Sequence, residues 1–143
     1  MLTTVSFKIS DEQKAEQAFS IRRIVFVEEQ KVSREEEYDS FENVATHYLA
    51  MIENVPSGTA RWRVTDKGVK LERFAVLSNF RNRGVGAALV NAVLKDVLPL
   101  KMKIYLHSQV SAMNLYAKAG FVAEGELFYE ANIPHYKMVY QGL

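Results

Sequence analysis

Apolar positions recur along this chain with two different periods, and the changes of period divide it into elements. Thr4–Ile9 alternates as a short strand does, and Ser10 with Gln13 three residues later has the form of a capping box, which predicts a helix running to about Val27. The apolar stripe of that helix, Ala15, Ala18, Phe19 and Phe26, is interrupted by Arg22. The acidic run Glu35-Glu36-Glu37-Tyr38-Asp39 reads as a solvated loop or short helix. Three strands are predicted next, at about Ala45–Glu53, Thr59–Asp66 and Val69–Leu77, separated by Asn54–Gly58 and by Lys67-Gly68. A second helix, from about Arg83 to Val97, stops before Pro99 and carries Val85, Ala88, Leu89, Ala92 and Val93 near one face. Lys101–Leu106 returns to strand alternation. A helix over Ser111–Ala119 ends on Gly120, a residue suited to a left-handed C-terminal cap, and strands near Glu126–Glu130 and His135–Tyr140 follow. Strands in consecutive hairpins, with helices inserted at the middle and near the end, predict an α+β fold, often filed as α/β, with a mixed, mainly antiparallel sheet flanked by helices.

One junction in this order carries chemistry. Leu71–Leu77 reads as a strand, and Arg81-Asn82-Arg83-Gly84-Val85-Gly86-Ala87 reads as a loop entering a helix whose first turn is built from arginine and glycine. Glycines there leave backbone N–H groups open, and the helix dipole adds partial positive charge, so the site suits a phosphate. A Walker loop needs Lys-Ser or Lys-Thr after its second glycine, where Ala87-Ala88 stand. A dinucleotide fingerprint needs a third glycine where Leu89 stands. What remains is R-x-x-G-x-G, made by Arg81, Gly84 and Gly86, with a glycine-rich helix start that binds nothing as the alternative.

Composition narrows the function classes. A chain of 143 residues that is 48% hydrophobic is long enough for one domain with a real core. A formal charge of +1 gives no global attraction to nucleic acid or membranes. The absence of cysteine excludes disulfides, thiolate metal sites and a cysteine nucleophile. The three histidines lack metal-ligand spacing, so no metal is expected. Met1–Ser10 lacks the basic start of a signal peptide, and no apolar run reaches about 18 residues, so the expectation is a cytoplasmic protein.

The motif Arg81-x-x-Gly84-x-Gly86 resembles the pyrophosphate loop of the GCN5-related N-acetyltransferases (GNAT enzymes). Asn114-Leu115-Tyr116-Ala117-Lys118-Ala119-Gly120-Phe121 is similar to that family's last helix, with its Y-x-x-x-G-F ending. The segments Arg22–Gln30, Gly58–Arg63 and Glu130–His135 further resemble a bacterial subgroup whose acceptors are largely unknown. The resemblance covers nearly the whole chain and implies one N-acetyltransferase domain over residues 1–143, with the sheet splayed between the fourth and fifth strands. It implies that acetyl-coenzyme A lies in that splay and leaves as coenzyme A. Main-chain groups of Phe74, Ala75 and Val76 would bind the pantetheine arm and polarise the thioester. The N–H groups of Arg83–Ala87 would cradle the pyrophosphate within the Arg81-Asn82-Arg83 loop, with Arg81 and Arg83 adding charge, and Asn114 would touch the coenzyme. The partner implied is a primary amine of a small molecule or peptide, and exposed strand edges near the C-terminus suit a homodimer.

Acetylating an amine of pKa ~10.4 at pH 7 means removing a proton at a cost of about 4–5 kcal/mol, so a base is expected. Glu72 is one candidate. If Lys67-Gly68 forms the hairpin turn, however, Arg63 falls opposite Glu72 and the pair is structural. His107, at the end of a cleft-lining strand, is the second. His47 and His135 read as ordinary polar contacts. Tyr116 is the expected acid for the departing thiolate, with simple packing as its alternative. Arg22 invites an ion pair with Glu29 or, with Arg61 and Arg63, an anchor for an acidic group on the acceptor. Two other functions remain open: a coenzyme-binding sensor without turnover, and a homoserine-lactone-synthase-like enzyme suggested by Arg22-x-x-x-Phe26 but lacking the downstream tryptophan, where Val32 stands.

Overall fold

The computed structural model describes residues 1–142; Leu143, the last residue of the expected domain, lies outside them. Seven strands form one sheet in the order β1-β2-β3-β4-β5-β7-β6: β1 Leu2–Phe7, β2 Thr46–Ile52, β3 Val55–Thr65, β4 Gly68–Val76, β5 Ile104–Gln109, β6 Phe121–Glu130 and β7 Ile133–Tyr140. Every neighbouring pair is antiparallel except β4–β5. A parallel pair requires a crossover, and α3 (Val85–Val97) supplies it. On one face α3 buries Val85, Leu89, Val90, Val93, Leu94 and Val97 against Tyr48, Ala50, Leu71 and Leu106. On the other, α1 (Glu12–Arg22) packs Ala15, Ala18 and Ile21 on Phe7, Leu49 and Ala75.

Turn chemistry explains where the strand boundaries depart from expectation. Glu53 and Asn54, both at positive φ, form the two-residue turn between β2 and β3, so Val55–Gly58 is strand rather than connection. The next turn is Asp66-Lys67, one residue ahead of Lys67-Gly68. Gly68 is reserved for a close approach: at φ +127 it sits where a Cβ would lie 2.3 Å from the Lys103 carbonyl oxygen. This register sets Arg61 opposite Glu72 and Trp62 opposite Leu71, correcting the expected partners Arg63 and Arg73.

The first helix also departs from its pattern. Asp11 caps it in place of Ser10, accepting a hydrogen bond from the Lys14 N–H. After Arg22 the chain widens into a π-helical segment, Arg23–Glu29. The wider turn moves Glu29 off the face of Arg22, so the expected pair does not form. Glu29 instead meets Arg81 at 3.0 Å, and Arg22 meets Glu37 and Glu42.

A buried charge network then fixes the connection between α1 and β2. Arg22 and Arg61, each 1% exposed, share Glu42: Arg22 donates at 3.0 and 2.7 Å, and Arg61 at 2.8 Å. Arg61 also holds Asp39 at 3.0 and 2.7 Å and Glu72 at 2.6 Å. The acidic run is therefore not solvated throughout. Ser33 caps a one-turn helix, α2 (Arg34–Glu37), which buries Glu37.

Removing one member of such a network strands a charge, so Glu42→Ala is expected to lose about 3–5 kcal/mol in chemical denaturation. The network also sets a pH dependence. Burial opposes ionisation of Asp39, Glu42 and Glu72, but the arginines overcome it and hold all three below their ordinary values, Asp39 at about 2. Burial raises Glu37 instead. For the three depressed groups, stability is present above the unfolded carboxylate range of about 4 and is lost as pH falls through the folded values. Denaturation midpoints should thus drop steadily between about pH 5 and pH 2.

Candidate active site

β4 and β5 meet through three rungs only, Val69–Ile104, Lys70–Tyr105 and Leu71–Leu106. One cause of the parting is visible in β4. Its pairing with β3 steps by an extra residue between Glu72 and Ala75, a β-bulge that bends the strand, with Arg73 at φ +59 inside it. Beyond the rungs opens a cleft of about 1140 Å³. Phe74, Ala75 and Val76 form one bank, and Leu106, His107 and Gln109 the other. The β5-facing backbone groups of the first bank have no strand partner there.

The start of α3 faces the same cleft. Gly84 is its N-cap at φ +83, no side chain caps the helix, and a Cβ on Gly84 would meet nothing within 4 Å. The N–H groups of Val85, Gly86 and Ala87 thus begin a helix without partners, in an open setting that fits a phosphate group. Gly86 has a second reason to be glycine, since a Cβ there would lie 3.2 Å from the Leu115 side chain. Arg81 and Asn82 line the cleft. The Arg81 guanidinium donates to the Val76 carbonyl at 3.0 Å and to Glu29 at 3.0 and 3.2 Å, tying the π-helical segment to the loop. Arg83 lies instead over the Phe80 ring, 5.6 Å from its centroid, and does not line the cleft.

Tyr116 stands on α4 (Met113–Lys118), 7% exposed, edge-on to Phe74 with ring centroids 5.5 Å apart. Burial pushes its phenol well above the ordinary tyrosine value, so it stays protonated throughout the neutral range. Its residue lines the cleft, and among the described residues its hydroxyl has no hydrogen-bond partner. Asn114, two positions earlier, turns to solvent and does not line the cleft; the helical period brings Leu115 and Tyr116 inward instead.

The remaining candidates separate by what surrounds them. Glu72, 9% exposed, accepts from Arg61 at 2.6 Å and Arg63 at 3.1 Å, with Lys70 at 3.6 Å. Burial alone would raise its carboxyl, but Arg61, Arg63 and Lys70 together more than reverse this, leaving a weak base. Arg22 and Arg61 are spent on carboxylates and do not line the cleft; Arg63 and Glu29 do. His107 lies in the cleft with Nδ1 2.7 Å from Glu130 Oε1. The hydrogen bond from His107 holds the Glu130 carboxyl below its ordinary value. His47 is buried on the Glu42 carbonyl at 3.0 Å, whereas His135 joins the cleft wall.

Sequence reasoning missed Glu130, Lys70 and Arg73. Glu130 had a readable signal, because Ala131-Asn132 is a two-residue turn with both φ positive that returns β6 onto β7 beside His107. Among the described residues no cluster of histidine, aspartate and glutamate is arranged to hold a metal ion, and no helix is long and apolar enough to cross a membrane.

Comparison with known proteins gives a concordant result. The Acetyltransferase (GNAT) domain family matches residues 9–141. The chain is 38% identical over 138 residues to a Bacillus subtilis protein named only provisionally as an acetyltransferase, covering 94% of each chain. It is 37% identical over 131 residues to the uncharacterized N-acetyltransferase YjcF of the same organism, covering 90% of this chain and 94% of that one. The crystal structure of an acyl-CoA N-acyltransferase from Pseudomonas aeruginosa superposes with a TM-score of 0.86 at 26% identity, over 98% of this chain and 99% of that one. With a family match spanning nearly its whole length and a splayed sheet of the same fold, the chain belongs to the GNAT acetyltransferase family and is an acyltransferase.

Proposed function

We propose that residues 1–143 act as one cytoplasmic N-acetyltransferase domain that takes acetyl-coenzyme A and moves the acetyl group directly to a primary amine of a small molecule or peptide. The observation that carries this reading is the conjunction of a parted β4 edge with an uncapped helix start in one cleft. The N–H groups at Val85, Gly86 and Ala87 hold the pyrophosphate, with Arg81 beside them. The free edge of β4 at Phe74–Val76 orients the pantetheine arm and offers N–H groups to the thioester oxygen. Bound there, acetyl-coenzyme A supplies an activated acyl carbon to which the acceptor nitrogen bonds as the carbon–sulfur bond breaks.

The chain's own groups handle the protons. His107 takes the proton of the acceptor ammonium, and Glu130 fixes the imidazole by its hydrogen bond at Nδ1 and stabilises the imidazolium. Tyr116, always protonated at neutral pH, donates a hydrogen bond to the departing sulfur. Glu72 belongs to the arginine network and keeps the β4 bank in place.

Five measurements bear on this reading. Acetyl-coenzyme A at ~100 times its dissociation constant should add about 2.7 kcal/mol to the folded state, seen as a rise in Tm; no rise contradicts the assignment. In isothermal titration, Gly84→Ala should weaken coenzyme binding at least tenfold, because alanine disfavours the left-handed backbone that sets the start of the helix, and Arg81→Ala should weaken it less. Tyr116→Phe should lower turnover by roughly 10²–10⁴-fold while preserving coenzyme affinity. His107→Gln should slow transfer chiefly where the acceptor is protonated and recover partly as pH rises. Glu72→Gln should reduce stability while the folded fraction turns over normally, and the opposite pattern would return the base to Glu72.

A further inference from the structure

The two banks of the cleft present different polar groups, and this bears on the acceptor. On the β4 bank the inner carboxylates are already satisfied from below. Arg22 holds Glu37 and Glu42, and Arg61 holds Asp39, Glu42 and Glu72. On this bank three cleft-lining cations, Arg63, Lys70 and Arg73, are left with donors to spare. Arg63 uses Nε on Glu72 and lays its fork over Phe41, 3.8 Å from the ring centroid. Lys70 lies 3.6 Å from Glu72, beyond hydrogen-bond reach. Arg73 Nη2 donates to the Glu36 carbonyl and to Asp39 Oδ2, each at 3.2 Å, but among the described residues its Nε is a buried donor with no hydrogen-bond partner, 3.4 Å from the Glu37 carboxylate.

Arg73 is singular in a second way. It occupies the left-handed region, at φ +59, within the bulge that opens the cleft. Glycine or asparagine would sit there with less strain, and a strained side chain that lines a cleft points to a use for that side chain. Across the gap, the other bank presents the Glu130 carboxylate with His107. His107 is one residue past the last paired rung of β5, and Arg73 is two residues past the last rung of β4.

We infer that the acceptor is an amine that also carries a carboxylate, with the carboxylate held by Arg73, Lys70 and Arg63 and the nitrogen directed toward His107 and Glu130. This rests on the transferase reading and names its substrate class. With the cleft-lining Glu36 included and every carboxylate ionised, the β4 cluster sets five cations, Arg22, Arg61, Arg63, Lys70 and Arg73, against five carboxylates, Glu36, Glu37, Asp39, Glu42 and Glu72. A bank so near balance suits the single charge of a carboxylate better than the nearly two of a phosphate monoester.

The test uses the full chain with saturating acetyl-coenzyme A and measures coenzyme release over a panel of amino acids of increasing length. Each is paired with its carboxamide, and aminoalkyl phosphates form a third arm. Isothermal titration of the same compounds into the coenzyme A complex gives a readout independent of turnover. The expected result is a KM and a dissociation constant at least tenfold lower for some acid than for its carboxamide. That ratio should collapse toward one in Arg73→Asn, chosen because asparagine accepts a left-handed backbone, and shrink in Lys70→Gln. Equal KM for acids and carboxamides, a preference that survives both substitutions, or a preference for the phosphates overturns the inference and leaves the transferase reading standing. Release with none of the amines overturns the transferase reading and this inference with it.

Discussion

Three rungs of parallel pairing between β4 and β5 are the constraint on which the rest of the site depends. Sheet strands ordinarily stay paired along their length because each buried backbone N–H and C=O needs a partner. Here the pairing is given up from Glu72 onward, and the edge thus freed faces a cleft rather than solvent at large. The same parting directs α3, which must cross from β4 to β5, to begin at the mouth of the cleft with its first N–H groups uncapped. One topological fact therefore yields both an extended backbone edge and a phosphate-binding helix start. Contacts from the π-helical region reach either side of the cleft, Glu29 to Arg81 in the loop after β4, and Gln30 to Gln109 of β5 at 2.8 Å.

The buried arginines decide which charges the cleft shows. Arg22 and Arg61 cost desolvation energy that a hydrophobic pair would avoid, and a buried ion pair is by itself a poor stabiliser. Their effect on this fold is positional. By pairing with Glu37, Asp39, Glu42 and Glu72, they tie α1, α2, β3 and β4 together and leave Arg63, Lys70 and Arg73 with unused donors on the cleft side. Glu72 illustrates the point, because a carboxylate on a cleft-lining strand has the address of a general base but, ringed by three cations, not its basicity.

What could be read from the residues alone follows the range of the interactions involved. The helix start at Arg81, Gly84 and Gly86 was legible because its chemistry is contained within six residues, and Tyr116 was placed by its distance from Gly120. The strand order and the parting of the sheet followed from resemblance, not from any local pattern. Arg73 was not legible, since an arginine in a left-handed bulge carries no turn signal. Glu37 was not distinguishable from Glu35 and Glu36, because burial of one among three adjacent glutamates is set by Arg22, fifteen residues away. The register error at Glu72 came from assigning Gly68 to the turn, when its lack of a side chain serves the approach of Lys103.

Amide hydrogen exchange with and without acetyl-coenzyme A tests most directly whether the parted strand and the helix start form one coenzyme site. The expected result is slowed exchange confined to two segments, Phe74–Val76 and Gly84–Ala88, in the same titration and with the same midpoint. Unchanged exchange at both segments under saturating acetyl-coenzyme A, or protection confined to elements away from the β4–β5 cleft, would contradict it.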